Sequence, residues 1–283
     1  MRCSVRFMAG DLQRKYDTLK KILKDLGSVV VAYSGGVDST LLLKVAVDTI
    51  GIKNVLACIS AGVVEPKNVL KRAKKIAKDF GVRLQTIDAD ELKDPNFVAN
   101  KADRCFHCKS HLCRELIDIA AKNGLKQVVF GTNLDDLDDF RPGNRAMKLF
   151  GIHSPLAEAK LTKDDIRALS RKLGLETADV PSSPCLASRL VYGLQISAKR
   201  LSQIEKAEDF FRTLGLVEFR VRHHDVIARI EVHQEDFKKI IAEPNRSRII
   251  KKLKSLGFKY ITIDLQGFRS GSLNETLSKN DKR

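Results

Sequence analysis

The chain has 283 residues, of which 43% are hydrophobic and 30% are charged, and its formal net charge is +16. This length predicts one large domain or two ordinary ones, with a substantial core. No apolar stretch approaches the roughly 20 residues of a membrane-spanning helix, and the amino terminus lacks the apolar region of a secretory signal. We therefore expect a cytoplasmic protein with no membrane partner, whose basic surface favours nucleic acid or phosphorylated small molecules.

The first part of the chain alternates between predicted strands and predicted helices. Buried strands are indicated at 29–33, 55–59, 82–87 and 127–130, and helices at 11–26, 40–47, 65–80, 106–123 and 162–173. Thr162 is predicted to be the N-cap of the last of these helices. The segment 132–160 is polar and predicted to be irregular. This alternation predicts an α/β fold with a doubly wound parallel sheet, which binds its ligand at the carboxyl ends of the strands.

The pattern changes after a loop at 181–189. A helix is predicted at 197–214, and two strands at 217–222 and 226–232 are joined by a turn at 223–225. Helical residues at 234–256, interrupted at Pro244, lead to a last strand at 259–265. We therefore predict two domains, a nucleotide-binding domain at 1–190 and a smaller α+β domain at 191–283.

The sequence SGGVDST at 34–40 directly follows the first strand and opens a helix. Small residues let the backbone turn tightly, and amide groups at a helix N-terminus bind anions. The loop lacks the lysine and spacing of a Walker A motif. A carboxylate such as Asp38 beside a bound anion requires a cation between the two negative groups, and Mg²⁺ fits that role.

This loop resembles the PP-loop of the N-type ATP pyrophosphatases, which cleave ATP between the α and β phosphates. The resemblance implies ATP as the nucleotide. The residues predicted to bind it are Ser34, Gly35, Gly36, Asp38, Ser39, Thr40, Gly131, Thr132 and Asn133.

The cysteines give the second signal. Cys105 and Cys108 are three residues apart and share one face of a predicted helix, whereas Cys113 points about 140° away from Cys108 and is predicted to be a small buried residue. Cys185 lies in a loop near Arg189, which favours the reactive thiolate. Cys105, Cys108 and Cys185 suit a 4Fe-4S cluster with one open iron; a zinc site completed by His107 or Cys113 is an equal alternative.

Two segments, PCLASR at 184–189 and DLQGFRSGSLN at 264–274, are specific in this order, and RVR at 220–222 and ARIEV at 228–232 are further matching segments. Through these segments nearly the whole chain resembles the LarE-type sulfur transferases of the PP-loop superfamily. The family converts pyridinium-3,5-biscarboxylic acid mononucleotide into the bisthiocarboxylic acid from which the nickel-pincer nucleotide is built. ATP adenylates a carboxylate of this small-molecule substrate, and sulfur then displaces AMP.

The resemblance also implies roles for individual residues. Cys185 would be the catalytic cysteine that handles sulfur, together with Asp38 in the ATP site. Cys105 and Cys108 would place the chain among members that hold a 4Fe-4S cluster and draw on sulfide or another sulfur donor, rather than those that sacrifice their own cysteine. Residues implied to bind the substrate are Ser188, Arg189, Arg220, Arg222 and Arg269. The family forms closed homo-oligomers.

Two other functions compete with this interpretation. A tRNA thiolase would explain the net charge of +16, but no added RNA-binding module is recognisable. A PP-loop amidotransferase or ligase of the NAD or GMP synthetase type would share the loop at 34–40 without needing the three cysteines.

Overall fold

The computed structural model describes residues 2–137 and 142–278, with only the backbone described for residues 2–9. The chain forms two compact units. The first comprises the residues up to Ala89 together with Cys105–Ser183, and the second comprises Asp90–Arg104 together with the chain from Pro184 onward. The sequence-based boundary after residue 190 thus differs from these units by a few residues and by the segment 90–104. No helix among the described residues has both the length and the apolar character to cross a membrane.

Seven strands and eleven helices are found in the described residues. The strands are β1 (Val29–Ala32), β2 (Val55–Ser60), β3 (Arg83–Ile87), β4 (Gln127–Phe130), β5 (Phe219–His224), β6 (Ile227–Val232) and β7 (Tyr260–Ile263). The helices are α1 (Arg2–Leu26), α2 (Val37–Ile50), α3 (Lys67–Asp79), α4 (Pro95–Val98), α5 (Arg104–Lys122), α6 (Pro142–Leu149), α7 (Pro155–Glu158), α8 (Lys163–Lys172), α9 (Ala198–Thr213), α10 (Phe237–Ile241) and α11 (Asn245–Ser255).

The sheet of the first unit has the order β3-β2-β1-β4, and all its neighbouring strands are parallel. Val29 and Val31 belong to a core with Leu19 and Leu23 of α1, whereas Val30 belongs to a separate core with residues of α5. Because successive strand residues point to opposite faces, β1 is buried on both sides. This arrangement confirms the predicted doubly wound α/β fold.

The second unit contains a three-stranded mixed sheet in the order β5-β6-β7. The pair β5–β6 is antiparallel and the pair β6–β7 is parallel. Val221 and Ile230 lie directly opposite each other in a core with Phe211 and Leu253. The neighbouring pair Arg220 and Glu231 therefore lies on the other face of the sheet.

Two local predictions were wrong. The segment 132–160 is not irregular throughout, because α6 and α7 form within it; residues 138–141 lie outside the described residues. The turn between β5 and β6 is not at 223–225, because His223 and His224 pair with Ala228 and Ile227. The chain reverses instead at Asp225, which adopts a positive φ of 55°.

The start of α8 is fixed by its N-cap, as the sequence predicts. Thr162 Oγ1 accepts a hydrogen bond from the Asp165 amide at 3.3 Å, and Asp165 Oδ2 accepts one from the Thr162 amide at 3.1 Å. This reciprocal capping box satisfies two amides that a helix N-terminus otherwise leaves unbonded.

We expect Thr162→Ala to destabilise the first turn of α8 by about 1 kcal/mol, because the helix loses its capping oxygen. Hydrogen exchange measured by mass spectrometry should show roughly fivefold faster exchange of the α8 amides. Thr162→Ser keeps the hydroxyl and should exchange at the wild-type rate. Equal exchange in the Ala and Ser variants would contradict the role of the cap.

Candidate active site

The loop between β1 and α2 is closed by its own serines. Ser39 Oγ accepts a hydrogen bond from the Ser34 amide at 3.2 Å and lies 3.0 Å from Ser34 Oγ. Gly36 is the N-cap of α2 and supplies no side-chain acceptor. The amides at this helix end are therefore left for an anion, which the helix dipole also favours.

Two glycines of the predicted nucleotide site are required by close packing. Gly35 has a φ of +70°, and a Cβ atom there would lie 2.6 Å from the Cβ atom of Ala73 on α3. A Cβ atom at Gly131, just after β4, would lie 2.9 Å from the backbone nitrogen of Ser39. The backbone of β4 thus runs directly against the first turn of α2.

Asp38 is the charged centre of this site. Its Oδ1 atom accepts a hydrogen bond from Asn133 Nδ2 at 3.2 Å, and its Oδ2 atom forms an ion pair with Lys163 Nζ at 2.6 Å. Asn133 is buried and is held by reciprocal hydrogen bonds with Asp136 at 3.1 and 3.2 Å. Three distant stretches of the chain therefore meet at one carboxylate.

A pocket of about 270 Å³ opens beside this carboxylate at the carboxyl ends of the strands. Five of the nine predicted nucleotide-binding residues line it, namely Ser34, Asp38, Ser39, Gly131 and Thr132. Asn133 is not among the lining residues, but its amide donates a hydrogen bond to Asp38, which is. Thr40 is buried in the first turn of α2.

The sequence did not single out two basic residues of this region. Lys163 is the first residue of α8, and its only local signal is the capping motif at Thr162. Lys109 lines the pocket from α5, and its Nζ atom lies 4.7 Å from the centre of the Phe130 ring. Their roles depend on tertiary contacts that the sequence does not display.

The Asp38 site has the donor set that Mg-ATP requires. A glycine-walled loop and a helix N-terminus can bind phosphate oxygens, Asp38 offers a carboxylate to a hard cation, and Lys163 supplies a positive charge. The residues present therefore fit the nucleotide and its metal ion.

The cysteines fall into two groups. Cys113 is fully buried, which confirms the prediction for it, and burial raises the pKa of its thiol. Cys58 is buried in the wall of the pocket, and burial raises the pKa of its thiol to about 12. A thiol of that pKa stays protonated and unreactive at neutral pH.

The predicted cluster ligands are more accessible. On α5 in the first unit, Cys105 is exposed and Cys108 is half-buried. Cys185 is half-buried in the second unit, at the start of a 3₁₀ turn spanning Leu186–Arg189. No three His, Cys, Asp or Glu side chains in the described parts of the chain are grouped around a common point. The ligand set for a cluster or for zinc therefore stays a prediction.

A buried carboxylate organises the arginine face of the second unit. Glu231 is fully buried, and its Oε2 atom accepts hydrogen bonds from Arg222 Nε and Nη2 at 2.9 and 2.7 Å. Its Oε1 atom accepts from Arg229 Nη2 at 3.0 Å and from Ser272 Oγ at 2.6 Å. The conformation of Arg222 is therefore fixed by a charge-assisted pair.

Two more of the four arginines predicted to bind substrate, Arg269 and Arg220, lie in different surroundings. Arg269 Nη1 lies 3.5 Å from Asp264 Oδ2, and its Nε atom pairs with Glu275 Oε1 at 3.0 Å. The guanidinium of Arg220 lies 5.0 Å from the centre of the Phe268 ring. Burial, reinforced by the nearby charge of Arg189, lowers the pKa of Arg220 to about 10. Arg220 is thus a desolvated cation, which an anionic ligand would stabilise.

Arg189 was predicted to contact the substrate but is only 1% exposed. Its hydrogen bonds are made to Glu208 and to atoms of the 184–188 loop. Ser188, also predicted to contact substrate, is half-buried and donates its hydroxyl to the carbonyl of Cys185 at 2.7 Å.

We expect Gly131→Ala to weaken ATP binding at least about tenfold, because the added methyl group displaces the first turn of α2 from β4. Isothermal titration with Mg-ATP measures the change in Kd. Gly10→Ala is the matched control, because a Cβ atom there meets nothing within 4 Å. Wild-type affinity in Gly131→Ala would rule out the packing at Ser39 as a requirement for the site.

Comparisons with known proteins agree with this geometry. The NAD synthase family model matches residues 12–133, which include the loop at 34–40 and Asn133. The chain is 38% identical over 95% of its length to the pyridinium-3,5-bisthiocarboxylic acid mononucleotide synthase of Lactiplantibacillus plantarum, covering 96% of that protein. It is 37% identical over 95% of its length to an uncharacterised protein of Synechocystis, covering all of that protein. The NH(3)-dependent NAD(+) synthetase of Halobacterium salinarum is 24% identical over 64% of this chain and 70% of its own.

The relatives and the site together identify the family. Identity of 38% extends through both units rather than through the loop at 34–40 alone. The chain therefore belongs to the LarE-type family of ATP-dependent sulfur transferases in the PP-loop superfamily.

Proposed function

We propose that this enzyme converts a carboxylate of pyridinium-3,5-biscarboxylic acid mononucleotide into a thiocarboxylate, for synthesis of the nickel-pincer nucleotide cofactor. The observation that carries the proposal is the near full-length similarity to the Lactiplantibacillus plantarum synthase. The Asp38 site offers chemistry suited to adenylation, and the arginine face of the second unit offers cations suited to the substrate phosphate.

The first half is adenylation in the first unit. A substrate carboxylate oxygen attacks the α-phosphorus of ATP, and pyrophosphate leaves. The amides at the N-terminus of α2 would bind pyrophosphate oxygens, and Asp38 would hold Mg²⁺, which when bound would neutralise the charge on the leaving pyrophosphate. Lys163 Nζ pairs with Asp38 Oδ2 in the structure, so we propose that Lys163 turns to a phosphate of ATP and thereby leaves the Asp38 carboxylate available to hold the cation.

The second unit holds the substrate in this proposal. Arg220, Arg222 and Arg269 bind the phosphate of the mononucleotide, a contact for which guanidinium geometry is well suited. Arg222 and Arg269 are already oriented by Glu231 and Asp264. Burial lowers the pKa of Arg220, and a bound phosphate would stabilise the charged form of its guanidinium. We further propose that the working form is a homo-oligomer.

The second half transfers sulfur. We propose that Cys105, Cys108 and Cys185 hold a 4Fe-4S cluster, which when bound supplies an exchangeable sulfide. The proposal is supported by the exposure of Cys105, the half-buried positions of Cys108 and Cys185, and the burial of Cys58 and Cys113. With sulfide or another sulfur donor as co-substrate, a carbon–sulfur bond would form at the acyl carbon of the adenylate while the acyl–oxygen bond breaks, and AMP would leave.

We expect Cys185→Ala to lose thiocarboxylate formation while retaining ATP binding, because the adenylation site lies in the other unit. Mass spectrometry of the product and titration with Mg-ATP measure the two properties. Cys113→Ala is the matched control, since this buried cysteine has no role in the proposal. Normal product formation by Cys185→Ala would overturn the role given to Cys185.

The cluster has its own test. Anaerobically purified and reconstituted protein should contain about four iron and four acid-labile sulfide atoms per chain, and Cys105→Ala should lose them. Metal analysis and a visible absorption spectrum give these values. One zinc ion per chain and no iron would instead favour the zinc site.

A basic surface favours a second candidate function, thiolation of tRNA. Between residues 237 and 260 the only acidic residue is Glu243, whereas the basic residues are Lys238, Lys239, Arg246, Arg248, Lys251, Lys252, Lys254 and Lys259. A gel shift with tRNA that weakens steeply with salt, together with thiolated tRNA as product, would support this function. Selective turnover of the pyridinium mononucleotide would exclude it.

A further inference from the structure

A buried ion pair between Arg189 and Glu208 holds the loop that carries Cys185 against the rest of the second unit. Arg189 and Glu208 have side chains that are only 1% and 2% exposed. Arg189 Nε donates to Glu208 Oε1 at 2.9 Å, and Arg189 Nη2 donates to Oε2 at 3.0 Å. This bidentate geometry fixes the plane of the guanidinium. Although burial opposes ionisation, the charge of Arg189 holds the pKa of Glu208 below its ordinary value.

The remaining nitrogen of Arg189 reaches the cysteine loop. Nη1 donates to the carbonyl oxygens of Pro184 and Cys185 at 2.6 and 3.1 Å and lies 3.0 Å from Ser188 Oγ. The guanidinium therefore contacts backbone atoms on both sides of the Cys185 α-carbon. Because Glu208 of α9 fixes the Arg189 guanidinium, this guanidinium limits where Cys185 can lie.

A second buried pair holds the far end of the loop. Arg222 Nη1 donates to the Ser188 carbonyl at 3.1 Å, while its other nitrogens bind Glu231. Glu208 also accepts from the Val221 amide of β5 at 3.4 Å. The loop is thus fixed to the sheet as well as to α9.

We propose that Glu208 is a positioning residue for sulfur transfer, acting through Arg189 to hold Cys185, and that Arg189 belongs to this clamp and not to the substrate contacts. The inference rests on the proposed role of Cys185. A buried pair of this kind contributes little net stability compared with apolar residues of similar size. The pair instead fixes the positions of the Pro184 and Cys185 carbonyls, because Arg189 donates hydrogen bonds to them and apolar side chains could not.

Glu208→Gln tests the clamp, because it keeps the shape of the side chain but removes the charge and one acceptor. A misplacement of about 1 Å at a reacting group lowers a rate about 100-fold. We therefore expect thiocarboxylate formation to fall about 100-fold in kcat, with the rate of pyrophosphate exchange and the Kd of ATP unchanged. Lys206→Gln is the control on the same helix, since it removes a charge from an exposed side chain of α9.

Two further measurements separate positioning from folding. Hydrogen exchange should accelerate in the peptide 184–190 of Glu208→Gln and not in β1 or α2, a result that does not depend on which substrate the enzyme uses. The double variant Arg189→Met with Glu208→Leu removes the buried charges together and should fold, yet sulfur transfer should stay about 100-fold slow.

Recovery of wild-type sulfur transfer in the double variant would overturn the proposal, because it would show that the pair serves folding alone. Wild-type kcat and wild-type exchange at 184–190 in Glu208→Gln would overturn it as well. If Glu208→Gln does not fold, the rate of sulfur transfer by the double variant tests the proposal in its place. These two outcomes differ from a failure of the proposed function. If that function is wrong, the wild-type enzyme itself forms no thiocarboxylate, and hydrogen exchange at 184–190 still tests whether Glu208 holds the loop.

Discussion

The arrangement of the candidate active site in the first unit depends on the carboxylate of Asp38. Asp38 joins the first turn of α2 to Asn133 after β4 and to Lys163 at the start of α8. The carboxylate would be costly to leave without partners in a half-buried position, and each of its oxygens has one. The same negative charge suits a divalent cation beside the phosphates of ATP. One residue therefore joins three parts of the site and offers the negative charge that a cation there would need.

The second unit contains two buried carboxylates that are also held by hydrogen bonds and ion pairs. Glu231 and Glu208 are buried carboxylates that each bind an arginine in a two-bond pair. Because β5 and β6 are antiparallel, their alternate residues bring Arg220, Arg222, Arg229 and Glu231 to one face while apolar residues form the core on the other. The sheet thereby presents several cations whose positions are fixed before any ligand binds. Such preorganisation reduces the entropy lost when an anionic ligand is bound.

The sequence predicted the features that depend on local pattern. The βα alternation and the run SGGVDST were sufficient for the parallel sheet and the nucleotide loop, and Thr162 was correctly predicted as an N-cap. Lys163 was missed because its importance comes from Asp38, 125 residues away in sequence. The partnership of Arg189 with Glu208 was missed for the same reason, and Arg189 was assigned to the substrate from its segment alone.

Errors in local structure also have physical causes. Polar residues at 142–149 suggested a loop, yet α6 forms there because Ala146 and Met147 are buried. The turn at Asp225 depends on a positive φ, which an aspartate tolerates better than most residues. The extension of the second unit to residues 90–104 rests on contacts such as those from Asn100 Nδ2 to the carbonyls of Val191 and Leu194, each at 2.8 Å.

The central claim is that ATP cleavage is coupled to sulfur transfer onto a pyridinium carboxylate. The most direct measurement incubates the anaerobic enzyme with Mg-ATP, sulfide and pyridinium-3,5-biscarboxylic acid mononucleotide, and quantifies AMP, pyrophosphate and thiocarboxylate by mass spectrometry. The account predicts one AMP and one pyrophosphate for each thiocarboxylate formed, and no AMP without the pyridinium substrate. AMP formation that instead requires ammonia and yields an amide, or that requires tRNA, would contradict it.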